Sequence, residues 1–286
     1  MPIETLNAHI ERVVKGDRYF EDFWKRQSEM RRAAYRRTWE EIEDIDSVGG
    51  DHLVRECVEC FDLTKRYFVR IQEREFLYHR IPDDWALFVR NINAKRRLFQ
   101  ESLIRLESLV KLAGLDDVAV IYGNIKDDDS LERKLRSVKT GTTLQANIMD
   151  LWDIVRFRVV VPDLGYLMQL SLSVWERYFD QVLRCRNYYF RARNGDASDP
   201  YRAIHFELAN DWGHVIELQL MTKRREAVSL LDHAALFKGT LRSFGEEAEK
   251  WLREFSAKGN VLDAREWFEG GNRCPVCNSK QGLQDS

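Results

Sequence analysis

Long apolar runs are missing from this chain. None approaches the roughly 18 residues that a membrane-spanning helix needs. The opening stretch, MPIETLNAHIERVVKGDR, lacks the apolar core of a secretion signal. The expected compartment is therefore the cytoplasm, with no membrane partner and with thiols kept reduced. Proline is scarce, at 5 of 286 residues, and no low-complexity linker or internal repeat breaks the chain. An excess of one charge is missing too: 45 Lys and Arg stand against 47 Asp and Glu, for a net charge of −2. No global basic field announces nucleic acid. What is present is core-forming material. Apolar residues make up 44% and aromatics 12%, with 8 Trp, which excludes a disordered chain and leaves room for one large domain or two modest ones.

The first 115 residues or so read as helical. Phe20, Phe23, Trp24 and Gln27 start a helical pattern that continues to Trp39, Ile42 and Ile45, until Val48-Gly49-Gly50 breaks it. A second helix is expected from Asp51 to about Tyr78. Ile81-Pro82-Asp83 ends it and offers Asp83 as N-cap for a third. In the third, Leu87, Ile92, Leu98, Leu103, Leu106, Leu109, Val110 and Leu112 recur at helical spacing, and Gly114 stands where a C-cap belongs. Arg90, Lys95, Arg96, Arg97 and Arg105 give this helix a basic face, which reads as a solvated surface or as a grip for a phosphate-bearing partner. His9, His52 and His79 have no neighbours at ligand spacing, so this half carries no evident catalytic group.

The pattern changes at Asp116. Val118–Tyr122 is a short continuous apolar run, as in a buried strand. Gly123-Asn124-Ile125-Lys126 reads as a turn, and Asp127–Ser130 opens a helix through Leu131, Leu135 and Val138. A Gly turn with Lys126, Ser130 and Lys134 beside a strand end could hold phosphates, although the Walker spacing is absent. Asp150–Val161 is a strongly apolar strand that carries Asp153, Arg156 and Arg158. Gly165–Phe179 is an amphipathic helix, and Val182–Arg193 a further strand ending in a basic cluster. The loop 194–200 leads to an alternating strand, Tyr201–Ala209. The turn at Asn210–Gly213 pairs it in a hairpin with Gly213–Thr222. A long helical region, Lys223–Phe255, holds Asp232, His233 and Lys238, and a second helix is expected over Val261–Phe268.

Gly213–Thr222 (GHVIELQLMT) organises this half. His214, Ile216, Leu218 and Leu220 share one face; Val215, Glu217, Gln219 and Met221 share the other. A carboxylate among such neighbours needs a cation or a metal ion, since an unpaired buried charge is very costly. Asp153 and Glu217 come from different strands. Two carboxylates near phosphate-binding cations are what Mg²⁺-assisted phosphoryl chemistry requires. The order of elements predicts an α+β fold, a mixed β-sheet flanked by helices.

Taken together, five ordered segments resemble the RelA/SpoT synthetase family, the alarmone pyrophosphokinases. Gly123-Asn124-Ile125-Lys126 with Ser130 and Lys134 resembles its G-R-x-K…S…K segment, and Asp153–Arg158 its D-[IL]-x-[GA]-x-R strand. Tyr201–His205 resembles Y-[RQ]-[SA]-[IL]-H, and Glu217–Thr222 resembles E-[IVL]-Q-[IVL]-R-T. Asp232-His233 with Phe237-Lys238 resembles the E-H…Y-K helix of the small single-function members. The resemblance covers about Val118 to Gly239. It implies a nucleotidyltransferase-like domain at about 116–258, behind a helical region at 1–115 and ahead of a cysteine-containing tail at 259–286. The activity implied is Mg²⁺-dependent transfer of the β,γ-pyrophosphate of ATP to a ribose 3′-hydroxyl, with GDP or GTP as leading acceptor.

By position, the resemblance makes Asp153 a Mg²⁺ ligand at the ATP polyphosphate and Glu217 an aid to the metal or the base for the attacking hydroxyl. Lys126, Ser130 and Lys134 would contact ATP phosphates, with Arg158 supporting the nucleotide. Tyr201 would stack on the acceptor base, His205 and Gln219 would hold its sugar or phosphates, and His233 and Lys238 would line the acceptor side. Three departures stand out: Asn124 replaces an Arg, Met221 replaces an Arg, and RARNGDASDP replaces a Lys and Asn-Gly segment, with Arg193 as a substitute cation. These imply a retained reaction with altered nucleotide preference. No histidine–aspartate hydrolase pattern accompanies the synthetase motifs, so the chain is expected to synthesise and not degrade. Relatives that modify the 3′ end of tRNA make tRNA an alternative acceptor, with an antitoxin protein as a further partner. An adenosine nucleotide, or a non-catalytic nucleotide sensor, are the other readings.

Cys57-x-x-Cys60 and Cys274-x-x-Cys277 are two pairs at zinc-ligand spacing. A structural Zn²⁺ joining the ends of the chain, free thiols and a redox disulfide all remain open. Cys185 reads as a plain strand residue.

Overall fold

The structure is a computed structural model that describes residues 27–45, 85–128, 131, 151–189, 201–210, 214–232 and 246–269. Helix α1 covers Glu29–Glu43, α2 Trp85–Arg90 and α3 Ile92–Leu112. Strands β1 (Val120–Ile125) and β2 (Val155–Val161) flank the residues around Asp153, and α4 spans Leu164–Tyr178. Strands β3 (Val182–Asn187), β4 (Ile204–Ala209) and β5 (Val215–Thr222) follow, then α5 (Lys223–Asp232) and α6 (Glu246–Glu269).

The five strands form one mixed sheet in the order β1-β2-β5-β4-β3. The central pair β2/β5 is parallel; the other three pairs are antiparallel. The α+β architecture expected from the sequence is therefore present. The period of two sorts each strand into two faces. The back face takes Phe157, Val159, Leu218, Leu220, Phe206 and their neighbours, which join Leu98, Leu106 and Leu109 of α3 and Leu167, Leu170 and Val174 of α4 in the main core. Trp175 of α4 meets Phe206 edge-on at 5.5 Å. The front face carries the polar residues. Among the described residues no helix is long and apolar enough to cross a membrane.

Caps explain the starts of three helices. Ser28 accepts from the Arg31 amide at the start of α1, Asn91 accepts from Asn93 and Ala94 at the start of α3, and Asp163 accepts from Gly165 and Tyr166 at the start of α4. Gly114, at φ +66°, ends α3 in the left-handed conformation that glycine adopts without a Cβ penalty.

Several boundaries move relative to the sequence expectation. The third helix is divided, because Asn91 caps α3 and separates it from α2. Gly123-Asn124-Ile125 is strand, not turn. β1 continues to Ile125 in register with Val155, and Gly123 allows the Phe99 and Phe157 rings to close over it, where an added Cβ would lie 2.6 Å from both. β3 ends at Asn187, and the rest of the expected strand to Arg193 lies largely outside the described residues. One helix, α6, spans both the end of the expected Lys223–Phe255 region and the expected Val261–Phe268 helix. Lys95 does not belong to an exposed basic face. Its side chain is 1% exposed and its amine reaches Asp128 at 3.2 Å, since a buried ammonium requires an anionic partner.

Helix α1 packs on α5 and α6. Trp39 is fully buried and donates its indole N–H to the Ala227 carbonyl at 3.0 Å. Lys258 of α6 donates to the Glu43 carbonyl at 2.8 Å. Between α5 and α6, Asp263 accepts from Thr222, Arg224 and Arg225. The Arg225 guanidinium, fully enclosed, also donates to the Ser256 carbonyl.

Candidate active site

The front face presents two polar rows, each crossing all five strands. One is Asn124, Arg156, Glu217, Glu207 and Arg184; the next is Tyr122, Arg158, Gln219, His205 and Arg186. These rows follow from alternation alone: each residue sits two positions from a front-facing neighbour, and the register aligns them.

The side chains are tied into a directed network. Arg158 donates through Nε and Nη2 to Gln219 Oε1, at 3.3 and 3.1 Å. Gln219 Nε2 donates to Glu217 Oε2 at 3.2 Å. His205 Nδ1 lies 3.0 Å from Glu217 Oε1, and Tyr201 Oη lies 2.6 Å from His205 Nε2. Tyr188 meets the His205 ring edge-on at 4.9 Å and the Tyr201 ring at 5.7 Å, and Arg186 Nη1 donates to its hydroxyl at 3.4 Å. Burial pushes the Glu217 carboxyl up, but the hydrogen bond and charge of His205 outweigh it and hold the group below its ordinary value. The nearby charges of Asp153 and Arg156 act on it in opposite directions.

At the β1/β2 end, Lys126 Nζ donates to Asp153 Oδ2 at 2.6 Å, and the Lys126 amide donates to the Ile154 carbonyl at 2.8 Å, one step beyond the strand pairing. Asp153 lies just ahead of β2, and its charge reaches Glu217. Arg156 Nε donates to Asn124 Oδ1 at 2.7 Å, so the position where the family pattern has an Arg is joined to a guanidinium from the next strand. At the far edge Arg184 pairs with Glu207 through two hydrogen bonds and stacks its guanidinium over Trp152 at 4.8 Å. Met221 lies below the polar rows, packed with Val160, Tyr201 and Ala203 in a small apolar cluster. A guanidinium there would meet an apolar floor.

The other end of the face is walled by residues outside the motifs. Arg31 of α1 lies over the Tyr122 ring at 4.0 Å and 3.9 Å from Glu226 of α5. Burial pushes the Tyr122 phenol up to about 12. Burial also raises the Glu226 carboxyl, with the charges of Arg158 and Arg31 acting against it. Arg31, Tyr122 and Glu226 were not legible as site residues. The alternation of β1 marks Tyr122 as front-facing, but nothing in the local sequence joins it to a helix some ninety positions earlier.

Of the residues expected at the site, the structure brings together Lys126, Asp153, Arg158, Tyr201, His205, Glu217 and Gln219. Ser130, Lys134, Arg193, His233, Lys238, Cys57, Cys60, Cys274 and Cys277 lie outside the described residues or have side chains that do. Cys185 is a buried free thiol in β3, raised by burial. Among the described residues no three His, Cys, Asp or Glu side chains cluster to hold a metal ion by themselves. By chemistry, the carboxylate oxygens of Asp153 and Glu217 are donors of the kind a hard divalent cation takes, with its remaining ligands from phosphate and water.

No family model matches the sequence, and no curated protein matches it. Solved structures do. A GTP pyrophosphokinase family protein from Streptococcus pneumoniae superposes with a TM-score of 0.52 at 21% identity, covering 70% of this chain and 97% of that one. Small alarmone synthetase 1 from Bacillus subtilis gives 0.49 at 18% identity, over 72% of this chain and 100% of that one. The same synthetase bound to its product pppGpp gives 0.48 at 19% identity, over 62% and 92%.

Proposed function

We propose that this chain, which has the RelA/SpoT-type small alarmone synthetase fold, is an ATP-dependent pyrophosphokinase. It transfers the β,γ-pyrophosphate of ATP to the ribose 3′-hydroxyl of a nucleotide, with a guanosine nucleotide as the first acceptor. The observation that carries this reading is the ion pair of Lys126 with Asp153, just ahead of β2, next to the front-face rows in which Glu217 of β5 feels the Asp153 charge and Arg158 is held by Gln219. Such transfer needs positioned reactants and neutralised phosphate charge. Lys126 is placed to give up its bond to Asp153 for a phosphate oxygen. Arg158, held by its edge on Gln219, keeps its face for a base. Tyr201, the position the resemblance gives to the acceptor base, is buried in the apolar cluster, and the half-buried Tyr188 packed against it supplies the aromatic surface for that base.

Mg²⁺, held by Asp153 with help from Glu217, would supply charge neutralisation at the polyphosphate. The changed positions Asn124 and Met221 alter the donor and acceptor surfaces and leave both carboxylates in place.

The test is incubation with γ-labelled ATP and, separately, GDP, GTP, ADP and bulk tRNA. Label in a free nucleotide is the expected result, with Asp153→Ala at background. Label in tRNA alone would make the tRNA 3′ end the acceptor. Binding of nucleotide without transfer to any acceptor would make the chain a sensor and overturn the reading.

A further inference from the structure

Leu151 to Ile154 precede β2, which begins at Val155. The position of the Asp153 carboxylate therefore depends on what holds this approach to the sheet. Leu151 and Ile154 sink into the main core, at 1% and 0% exposed. The two residues between them are gripped by side chains from elsewhere. Lys126, one residue past the end of β1, donates to Asp153. Arg184 of β3 lays its guanidinium over the Trp152 ring at 4.8 Å. β1 and β3 are the two edges of the sheet. Consecutive residues are thus held from opposite edges.

The grip from β3 is itself fixed. Arg184 donates through Nε and Nη2 to the two carboxylate oxygens of Glu207, its register partner on β4. A guanidinium is planar. Two parallel hydrogen bonds set its edge and leave its face for a ring. Glu207 in turn stands opposite Glu217 in the register of β4 with β5, so the strand pairing that places Glu217 also places the support beneath Trp152. From the sequence, Arg184 belongs to the basic cluster of its strand. In the fold its edge and a face are both engaged within the chain.

We propose that Arg184, fixed by Glu207, is a positioning residue for Asp153 and acts through Trp152. This rests on the pyrophosphokinase reading, in which Asp153 works at the ATP polyphosphate. The two grips differ in kind. The bond from Lys126 is exchangeable, because the same ammonium serves a phosphate oxygen when ATP binds. The stack of Arg184 on Trp152 takes no part in that exchange, so it keeps the carboxylate in place after Lys126 has turned away.

The experiment combines three measurements on the full chain: amide hydrogen exchange at residues 151–154 without nucleotide, ATP binding with and without Mg²⁺, and transfer kinetics. Trp152→Leu keeps an apolar side chain against the core and removes the ring face. Arg184→Lys keeps a cation beside Glu207 and removes the plane. Each is expected to speed exchange at 151–154 by about 2- to 30-fold, the range of one cation–π contact, while β4 and β5 keep their protection. Transfer at saturating substrates is expected to fall about 10- to 100-fold, as when a group that orients a ligand is lost, with acceptor KM within about twofold of wild type. ATP binding is expected to weaken with Mg²⁺ present and to hold without it. Trp152→Phe, which keeps an aromatic face, is expected to restore most of what Trp152→Leu loses. If Trp152→Leu does not fold, Arg184→Lys carries the comparison. Unchanged exchange at 151–154, faster exchange spread over the whole sheet, or faster local exchange with unchanged transfer would each overturn the proposal and leave the pyrophosphokinase reading standing. Wild-type protein that transfers to no acceptor would overturn that reading, and local exchange with Mg²⁺-dependent ATP binding would still decide whether the stack holds Asp153.

Discussion

Single side chains set the electrostatics of this face. Glu226 sits under Arg31 and close to Arg158, yet burial still raises its carboxyl. A carboxyl raised in the folded state binds more protons folded than unfolded. Its cost to stability is therefore full above the folded value and absent below the ordinary value of 4.5. Glu226→Gln is expected to raise the thermal midpoint at neutral pH, with the gain fading as pH falls through the carboxylate range; a midpoint that falls at neutral pH would show that the ion pair outweighs burial. Glu217 is the opposite case, held down by His205, so its contribution is present at neutral pH and lost in acid. Much of this was legible beforehand. The alternation of GHVIELQLMT marks Glu217 and Gln219 as sharing a face, and the structure puts them there. The partner of Glu217 was not legible, because a register between β4 and β5 is needed to set His205 beside Gln219 and one step from the carboxylate.

Elements show where local pattern gives way to packing. Gly123 reads as a turn residue from the sequence, yet it lies within β1, under the stacked pair Phe99 and Phe157, whose ring centroids are 4.9 Å apart. The glycine serves close approach here, not a change of chain direction. Gly123→Ala places a methyl group where both rings already lie. It is expected to cost roughly 1–3 kcal/mol, the range for overpacked cores, measurable by urea denaturation. Because β1 leads directly into Lys126, the same change should weaken ATP binding. A neutral effect on both would mean that Phe99 yields freely. Lys95 teaches the same lesson on a helix. Periodicity and charge place it with Arg96 and Arg97, but one turn of α3 carries it beneath the chain at Asp128, and the distance to that acid cannot be read from spacing.

At the scale of the whole molecule, the sheet and the α1/α5/α6 group are joined through buried charge. Asp263 accepts from Thr222 at the end of β5 and from two arginines of α5, and Arg225 passes on to Ser256. Removing Asp263 leaves the enclosed Arg225 without its counter-charge, while Arg224 keeps Glu266. Asp263→Ala is expected to cost about 3–5 kcal/mol, read as a lower denaturation midpoint. A loss under about 1 kcal/mol would place the acid among surface pairs instead. The fold class follows from the order of patterns along the chain, whereas this junction depends on contacts between segments far apart in sequence.

Arg31 gives the sheet's front face part of its boundary, and Trp39 ties the same helix to α5, from a segment that precedes every recognisable signature. A fragment trimmed to the signatures would keep the carboxylates and the network around them, but strip Tyr122 of its cover and open the Ala227 region to water. Nucleotide binding compared between such a fragment and the full chain would report on that cover as well as on the network.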